Sequence, residues 1–289
     1  MKLIIDAMGG DNAPLEIVKG ALSGQKRWGV DVTLTGDTTA ILQALEACGE
    51  KTLPQGMEIV HTTETVEMCD DPATVFRRKK DTSMGVGLTM LRDGRADAMV
   101  SAGSTGALLT GATLIVKRIR GIRRAAMAPV IPTTTGQAVL IDCGANAECT
   151  PEYLVQFAYL GSYYAHRVLG VERPRVGLLN IGTEDSKGTD LQKETLRWLR
   201  EAHTAGHLNF IGNIEAKEAI KGGCDVIVCD GFSGNVLLKT MEGVGSFAGS
   251  ALKAMFKKNL LTKLAALCVM PGLNAFKAKL DPNKVGGTA

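Results

Sequence analysis

Short β-rich runs alternate with helix-periodic ones along most of this chain, and that alternation limits the possible folds more than any other feature. Lys2 to Asp6, Val30 to Thr35, Met57 to His61, Ala96 to Val100, Arg175 to Leu179, Leu208 to Ile211 and Val226 to Cys229 read as strands. Helices are predicted from Pro14 to about Trp28, from Gly36-Asp37 to about Cys48, over Pro72 to Lys80 and Met84 to Asp93, and, after the Ser101 to Gly106 turn, on to about Lys117. Tyr153 to Val168, Lys187 to Ala202 and Ala216 to Lys221 follow, and a long helical stretch covers about 234–280. Parallel strands need crossover connections, so this order predicts a mainly parallel sheet with helices on both faces. One hairpin interrupts it, with strands Ala126 to Pro132 and Ala138 to Asp142 around a Thr-Thr-Thr-Gly turn. With no repeat and no low-complexity linker, the economical expectation is a single three-layer α/β/α domain over residues 1–289.

Ligands of open parallel sheets bind beyond the carboxyl ends of the strands. Six predicted strand ends carry the same kind of turn. Asp6 leads into Gly9-Gly10-Asp11-Asn12, and Val100 into Ser101, Gly103, Ser104, Thr105 and Gly106. Asp142 leads into Gly144-Ala145-Asn146, and Asn180 into Gly182-Thr183-Glu184 with Lys187-Gly188. Ile211 is followed by Gly212-Asn213-Ile214-Glu215, and Asp230 by Gly231-Phe232-Ser233-Gly234-Asn235. Glycine lets backbone N–H groups approach an anion, and a helix N-terminus adds a favourable dipole. A small oxyanion needs only a few N–H, hydroxyl and lysine donors, and Lys187 supplies the cation.

Other chemistries lack their residues. The first turn is not GxGxxG, and no Walker A sequence is present, which disfavours a nucleotide. Ser104 does not sit in GxSxG. Of His61, His166, His203 and His207, only His61 lies near a strand end, beside Thr62-Thr63-Glu64, so a Ser-His-Asp triad is not expected. Aromatics are 4% and net charge is +3, which argues against a nucleic-acid platform. The seven cysteines form no CxxC pair and no zinc spacing; neither metal nor cofactor is expected, and a reducing cytoplasm is. The chain opens directly on a strand, so no signal peptide is expected. No apolar run reaches the roughly 18 residues of a membrane span.

Taken in order, Asp6-Ala-Met-Gly-Gly-Asp-Asn-Ala-Pro14, Ser101-Ala-Gly-Ser-Thr-Gly106, Asn180-Ile-Gly-Thr-Glu184 with Lys187-Gly188, Gly212-Asn-Ile-Glu215 and Asp230-Gly-Phe-Ser-Gly-Asn235 closely resemble the phosphate acyltransferase (PlsX) family. The likeness runs from Met1 to about Pro282. It implies a fold similar to phosphotransacetylases and the isocitrate/isopropylmalate dehydrogenase group. It implies transfer of an acyl group from acyl carrier protein to inorganic phosphate, feeding glycerol-3-phosphate acylation in phospholipid synthesis. It also implies a homodimer in the cytoplasm, associated peripherally with the inner face of the membrane beside the downstream glycerol-3-phosphate acyltransferase. The family continues past Asp281-Pro282 with a further strand and helix, whereas this sequence reads Asn283-Lys-Val-Gly-Gly-Thr-Ala289 and stops. A shortened C-terminus is therefore expected.

On that resemblance Lys187 binds phosphate or the developing oxyanion, Asn213 and Asn235 donate amide hydrogen bonds, and Asp230 orients Lys187 or moves a proton. Ser104 and Thr105 cradle the phosphate, with Asp6, Gly9, Gly10, Asn12, Asn146, Asn180 and Gly182 completing the substrate site. Asp6, Asp11 and Asn12 ordering the loops is the alternative. Acyl carrier protein is acidic and needs a basic surface. Arg77, Arg78, Lys79 and Lys80 offer one; Lys117, Arg118, Arg120, Arg123 and Arg124, with Gly121 marking a loop, offer the better one. From Gly243 to Leu280 there are six lysines and no acid. Within that stretch Leu260, Leu261, Leu264 and Leu267 recur at helical spacing beside lysines, as in a helix lying on an anionic membrane. A dimer-interface helix end is the other reading. Rival functions are a phosphate acetyl- or butyryltransferase using acyl-CoA, a dehydrogenase of the related fold, and a non-catalytic lipid-surface scaffold.

Overall fold

The structure, a computed structural model, describes residues 1–259 together with residues 262, 265, 266, 269, 270 and 272. Two compact units divide the chain, Met1–Ala125 and the part from Ala126 onward.

The first unit holds β1 (Lys2–Asp6), α1 (Leu15–Trp28), β2 (Asp31–Gly36), α2 (Thr38–Ala47), β3 (Met57–His61), α3 (Val75–Arg78), α4 (Ser83–Arg92), β4 (Ala98–Val100) and α5 (Thr105–Gly111). α5 runs on into a π-helical turn, Ala112–Val116. The strands form one sheet in the order β3-β2-β1-β4, all parallel. Val32 and Leu34 face Val18 and Ala21 of α1 and Ile41, Ala44 and Leu45 of α2. Gly87 of α4 lies close to Ile4 and Met99, so helices cover both faces.

The second unit holds β5 (Val130–Pro132), β6 (Gln137–Ile141), α6 (Pro151–Leu169), β7 (Val176–Leu179), α7 (Asp190–Thr204), β8 (Phe210–Ile214), α8 (Ala216–Ile220), β9 (Val226–Val228) and α9 (Gly231–Lys257). Its sheet runs β5-β6-β9-β7-β8, and only the β5–β6 hairpin is antiparallel. Strand periodicity divides the core. Val139, Ile141, Val176, Leu178, Val226 and Val228 pack with Leu154, Phe157 and Ala158 of α6 and with Leu196 and Leu199 of α7. Ala138, Leu140, Ile214 and Ile227 point the other way, to Ala219 of α8 and to Leu237, Leu238 and Met241 of α9. The expected α/β class with mainly parallel strands and helices on both faces is what the structure has. Among the described residues no helix is long and apolar enough to cross a membrane.

Three differences from the sequence reading bear on the strand-end turns. β8 does not stop at Ile211 but continues to Ile214, because its pairing with β7 shifts register between Val176 and Gly177. Asn213 is therefore inside a strand. α7 begins at Asp190 rather than Lys187, because a capping box between Thr189 and Gln192 closes the helix there. α9 begins at Gly231, since the Asp230 side chain accepts from the Ser233 N–H and makes the turn a helix cap. The hairpin and every other strand lie within a few residues of their predicted places. Leu260, Leu261 and Leu264 lie outside the described residues.

Arg175 and Asp225 lock the entrances of β7 and β9. Arg175 Nη2 and Nε reach the two carboxylate oxygens at 2.9 and 3.0 Å, and the guanidinium also donates to the carbonyls of Gly222 and Gly223. Burial raises the Asp225 carboxyl, but the Arg175 hydrogen bonds outweigh it and hold the group below the usual carboxylate range. A depressed carboxylate adds stability above its unfolded value and loses it as pH falls through the folded one. Asp225→Asn should cost about 1–2 kcal/mol at neutral pH, discounted for the half-exposed arginine. The gap to the parent should close below about pH 4 in denaturant titrations. Glycine substitutions give a second check. A Cβ on Gly161 of α6 would lie 2.5 Å from Val226 Cγ1 and 3.0 Å from Ile141 Cγ2, whereas one on Gly20 of α1 meets nothing within 4 Å. Gly161→Ala should lower Tm, its overpacking cost of about 1–3 kcal/mol exceeding the helix-propensity gain of roughly 1 kcal/mol. Gly20→Ala should raise it.

Candidate functional site

Within each sheet the parallel strands place their carboxyl ends on one edge, and the glycine-rich turns lie there. Several of those turns already hold an anion of their own. In the first unit the buried Asp6 closes β1. Its Oδ2 accepts from Ser101 Oγ at 2.7 Å, its Oδ1 accepts from the Met8 N–H at 3.3 Å, and Ser101 Oγ in turn accepts from the Gly103 N–H. This ties the end of β1 to the end of β4. Gly9 sits against Asp6 and Gly103, while Gly10 turns the chain with φ 110° beside Ala102. Asn12 is exposed, and its carbonyl accepts from the Glu16 N–H at the start of α1. Ser104 caps α5, accepting from the Ala107 N–H at 3.4 Å, and Thr105 is exposed in the first turn.

Asp142 does the same work in the second unit, and it is fully buried. Oδ1 accepts from the N–H groups of Met127, Cys143 and Ala145; Oδ2 accepts from the Asn146 N–H at 2.7 Å and from Asn146 Nδ2 at 2.9 Å. Asn146 returns its carbonyl to the Gly231 N–H at 2.8 Å. The first turn of α9 then presses on this hub. A Cβ on Gly231 would fall 2.6 Å from the Asn146 carbonyl oxygen, and one on Gly234 would fall 2.0 Å from the Asp142 carbonyl oxygen. Asp230 Oδ1 accepts from the Ser233 N–H and Oδ2 from the Ser233 hydroxyl. Both carboxylate oxygens are thus engaged within the helix cap, and no hydrogen bond or ion pair joins Asp230 to Lys187 among the described residues. Asn235 is exposed, its side chain lying beside Gly144.

The turn after β7 is different. Asn180 Oδ1 accepts from the Ile181 N–H at 2.8 Å, and Asn180 Nδ2 donates to the Lys187 carbonyl at 3.2 Å. The Lys187 N–H donates to the Glu184 carbonyl, which also accepts from Asn213 Nδ2 at 3.0 Å. Arg200 of α7 holds the outer side through Asp185, Nη2 to Oδ1 at 2.6 Å. Gly182 lies under the Lys187 side chain. The Lys187 ammonium itself is exposed and has no partner among the described residues. Of the expected site residues, Asn180, Gly182, Lys187 and Asn213 are gathered here, and Asn146 and Asn235 lie with the Asp142 hub.

Sequence reasoning underrated Ser101, Asp142 and Arg200. For Asp6 and Asp142 the signal was available, because each acid ends an apolar strand and so is buried beside free N–H groups. Arg200 had none, since its partner is 15 residues away in an exposed loop. The buried cysteines are not nucleophile material. Burial, reinforced by Asp142, pushes the Cys143 thiol up to about 11. Burial also raises Cys224 to about 12 and Cys229 well above the ordinary thiol range.

The chain matches the model of a family described as fatty acid synthesis protein over residues 1–289. A phosphate acyltransferase from Alkaliphilus oremlandii is 47% identical over 99% of this chain and 84% of its own length. One from Brevibacillus brevis is 46% identical, also over 99% of this chain and 84% of its own length. Among solved structures, a phosphotransacetylase from Streptococcus pyogenes superposes with a TM-score of 0.65 at 20% identity, covering 85% of this chain and 82% of the other. That likeness is one of fold, and the expected relation to phosphotransacetylases holds. With its length matched by the family model and nearly half its residues shared with such relatives, the chain belongs to the phosphate acyltransferase family of fatty acid synthesis proteins.

Proposed function

We propose that this enzyme forms an acyl phosphate from acyl-[acyl carrier protein] and inorganic phosphate, for phospholipid synthesis. One observation carries the reading: Lys187 is an unpartnered ammonium on a braced loop at the carboxyl edge of a parallel sheet. The neighbouring turns after β6 and β9 are occupied by Asp142 and Asp230, so the β7 turn is where the second unit offers charge to an incoming anion. A phosphate dianion held by Lys187 places one oxygen against the thioester carbonyl. The P–O oxygen bonds to the carbonyl carbon, the carbonyl oxygen becomes an oxyanion, and the C–S bond then breaks with the electron pair leaving on sulfur. The carbonyl re-forms as the acyl phosphate, and the thiolate takes the proton that the hydrogenphosphate gives up, yielding the free carrier thiol. Fixing the two reactants saves up to about 7–11 kcal/mol of barrier, and each oxyanion donor about 3–4 kcal/mol. The exposed Asn235 amide is such a donor. Asp6, Gly9, Gly10, Asn12, Asn146, Asn180 and Gly182 shape and support the turns.

Acyl carrier protein as donor is supported by the exposed Lys117, Arg118 and Arg120, with Ile119 exposed among them. An acidic partner is steered by such a surface. Exposed Val244 and Phe247 on α9 support a homodimer, and the leucine–lysine stretch beyond α9 supports a peripheral site on anionic membrane, near the acyltransferase that consumes the product.

Lys187→Ala should lower acyl-phosphate formation about 100- to 1000-fold with Tm unchanged. Phosphate-dependent loss of acyl-ACP and of acyl-CoA, assayed in parallel, distinguishes the donors. Normal turnover of Lys187→Ala removes Lys187 from the mechanism; preference for acyl-CoA overturns the carrier-protein reading; no phosphate-dependent cleavage of either favours a scaffold. Changing Leu260 and Leu261 to Glu should abolish flotation with vesicles containing anionic lipid, and retained flotation would refute the membrane site.

A further inference from the structure

Asn180 and Asn213 each commit an amide N–H to the backbone of the loop that carries Lys187. The Asn180 side chain spans the loop, taking the Ile181 N–H on its oxygen and giving its own N–H to the Lys187 carbonyl. Asn213, in β8, reaches across to the Glu184 carbonyl, which the Lys187 N–H also approaches, at 3.1 Å. A carbonyl can be approached there only by a donor, so the Asn213 amide nitrogen must face it and its oxygen must face inward. That oxygen is buried and has no hydrogen-bond partner in the structure. An unsatisfied buried carbonyl weakens a fold. Such a cost is characteristic of positions kept for function rather than stability. Gly188, with φ 86°, completes the arrangement: a Cβ there would lie 2.7 Å from Asn180 Oδ1.

We propose that Asn180 and Asn213 are positioning residues that act through Lys187, bracing residues 181–188 so that its ammonium meets phosphate already ordered. Their amides clamp the backbone on both sides of the lysine, at the Glu184 and Lys187 carbonyls. This inference rests on the reading of Lys187 as the phosphate-binding cation. It changes the part assigned to Asn213 from substrate donor to loop strut.

The test uses Asn180→Asp, which sets an oxygen against the Lys187 carbonyl, and Asn213→Leu, which keeps the shape and removes both polar atoms. Three measurements are made on the whole protein: steady-state kinetics with inorganic phosphate and acyl-ACP, Tm, and hydrogen exchange by mass spectrometry over 180–189. Both variants should exchange faster across the loop and lose about 10- to 100-fold in kcat/KM for phosphate, with KM for acyl-ACP little changed. Asn213→Leu should hold or raise Tm, because it removes the unsatisfied carbonyl. In a Lys187→Ala background neither substitution should cause further loss. Unchanged exchange overturns the brace. A Tm that falls in step with activity in Asn213→Leu assigns the residue to stability alone. Losses that multiply in the Lys187→Ala background mean the asparagines contact substrate themselves. Full activity of Lys187→Ala beside impaired asparagine variants refutes the reading of Lys187, and with it any action through that lysine.

Discussion

At the carboxyl edge of a parallel sheet the turns into the following helices gather backbone N–H groups, and glycine lets them crowd together. Buried donors of this kind need acceptors. Here the chain supplies them from within, with Asp6 at the end of β1 and Asp142 at the end of β6. Asp142 alone takes the N–H groups of Met127, Cys143, Ala145 and Asn146. Without it the approach to β5, the turn after β6 and, through Asn146, the start of α9 would lose their common anchor. A buried carboxylate this well satisfied organises loops, whereas one left unpaired would be costly.

This internal use of anions separates turns that look alike in sequence. Where a strand ends in Asp, the carboxylate fills the donor nest and the turn becomes structural. Where β7 ends it meets Asn180, whose neutral amide organises the loop backbone without adding negative charge. The positive field of Lys187 therefore remains available. An aspartate in place of Asn180 would bring a competing anion to the same loop. The distinction between Asp and Asn at the end of a strand thus decides whether the turn places negative charge at its own edge position.

Strand–helix alternation made the fold class legible, because the period of apolar residues is set locally. Both faces of the second sheet can be read from the alternation of Ala138, Val139, Leu140 and Ile141. The candidate site was half legible. Glycine-rich strand ends and Lys187 stood out, since their composition is unusual. The roles inside the turns did not, because they depend on which oxygen meets which N–H across gaps of up to 95 residues, as between Asp6 and Ser101. Asn213 read as a loop donor since nothing local announces a register shift between β7 and β8.

By itself, then, the sequence determined an α/β chain of parallel strands, the positions of its glycine turns, and a family whose relatives are phosphate acyltransferases. Those properties follow from local periodicity, residue conformational freedom and residue identity. Only the tertiary structure decided that Asp142 is a hub, that Asp230 is a helix cap, and that Asn180 and Asn213 support Lys187. A polar side chain's role is set by the partner it finds, and those partners are brought together by strand order and register rather than by neighbouring positions in the chain.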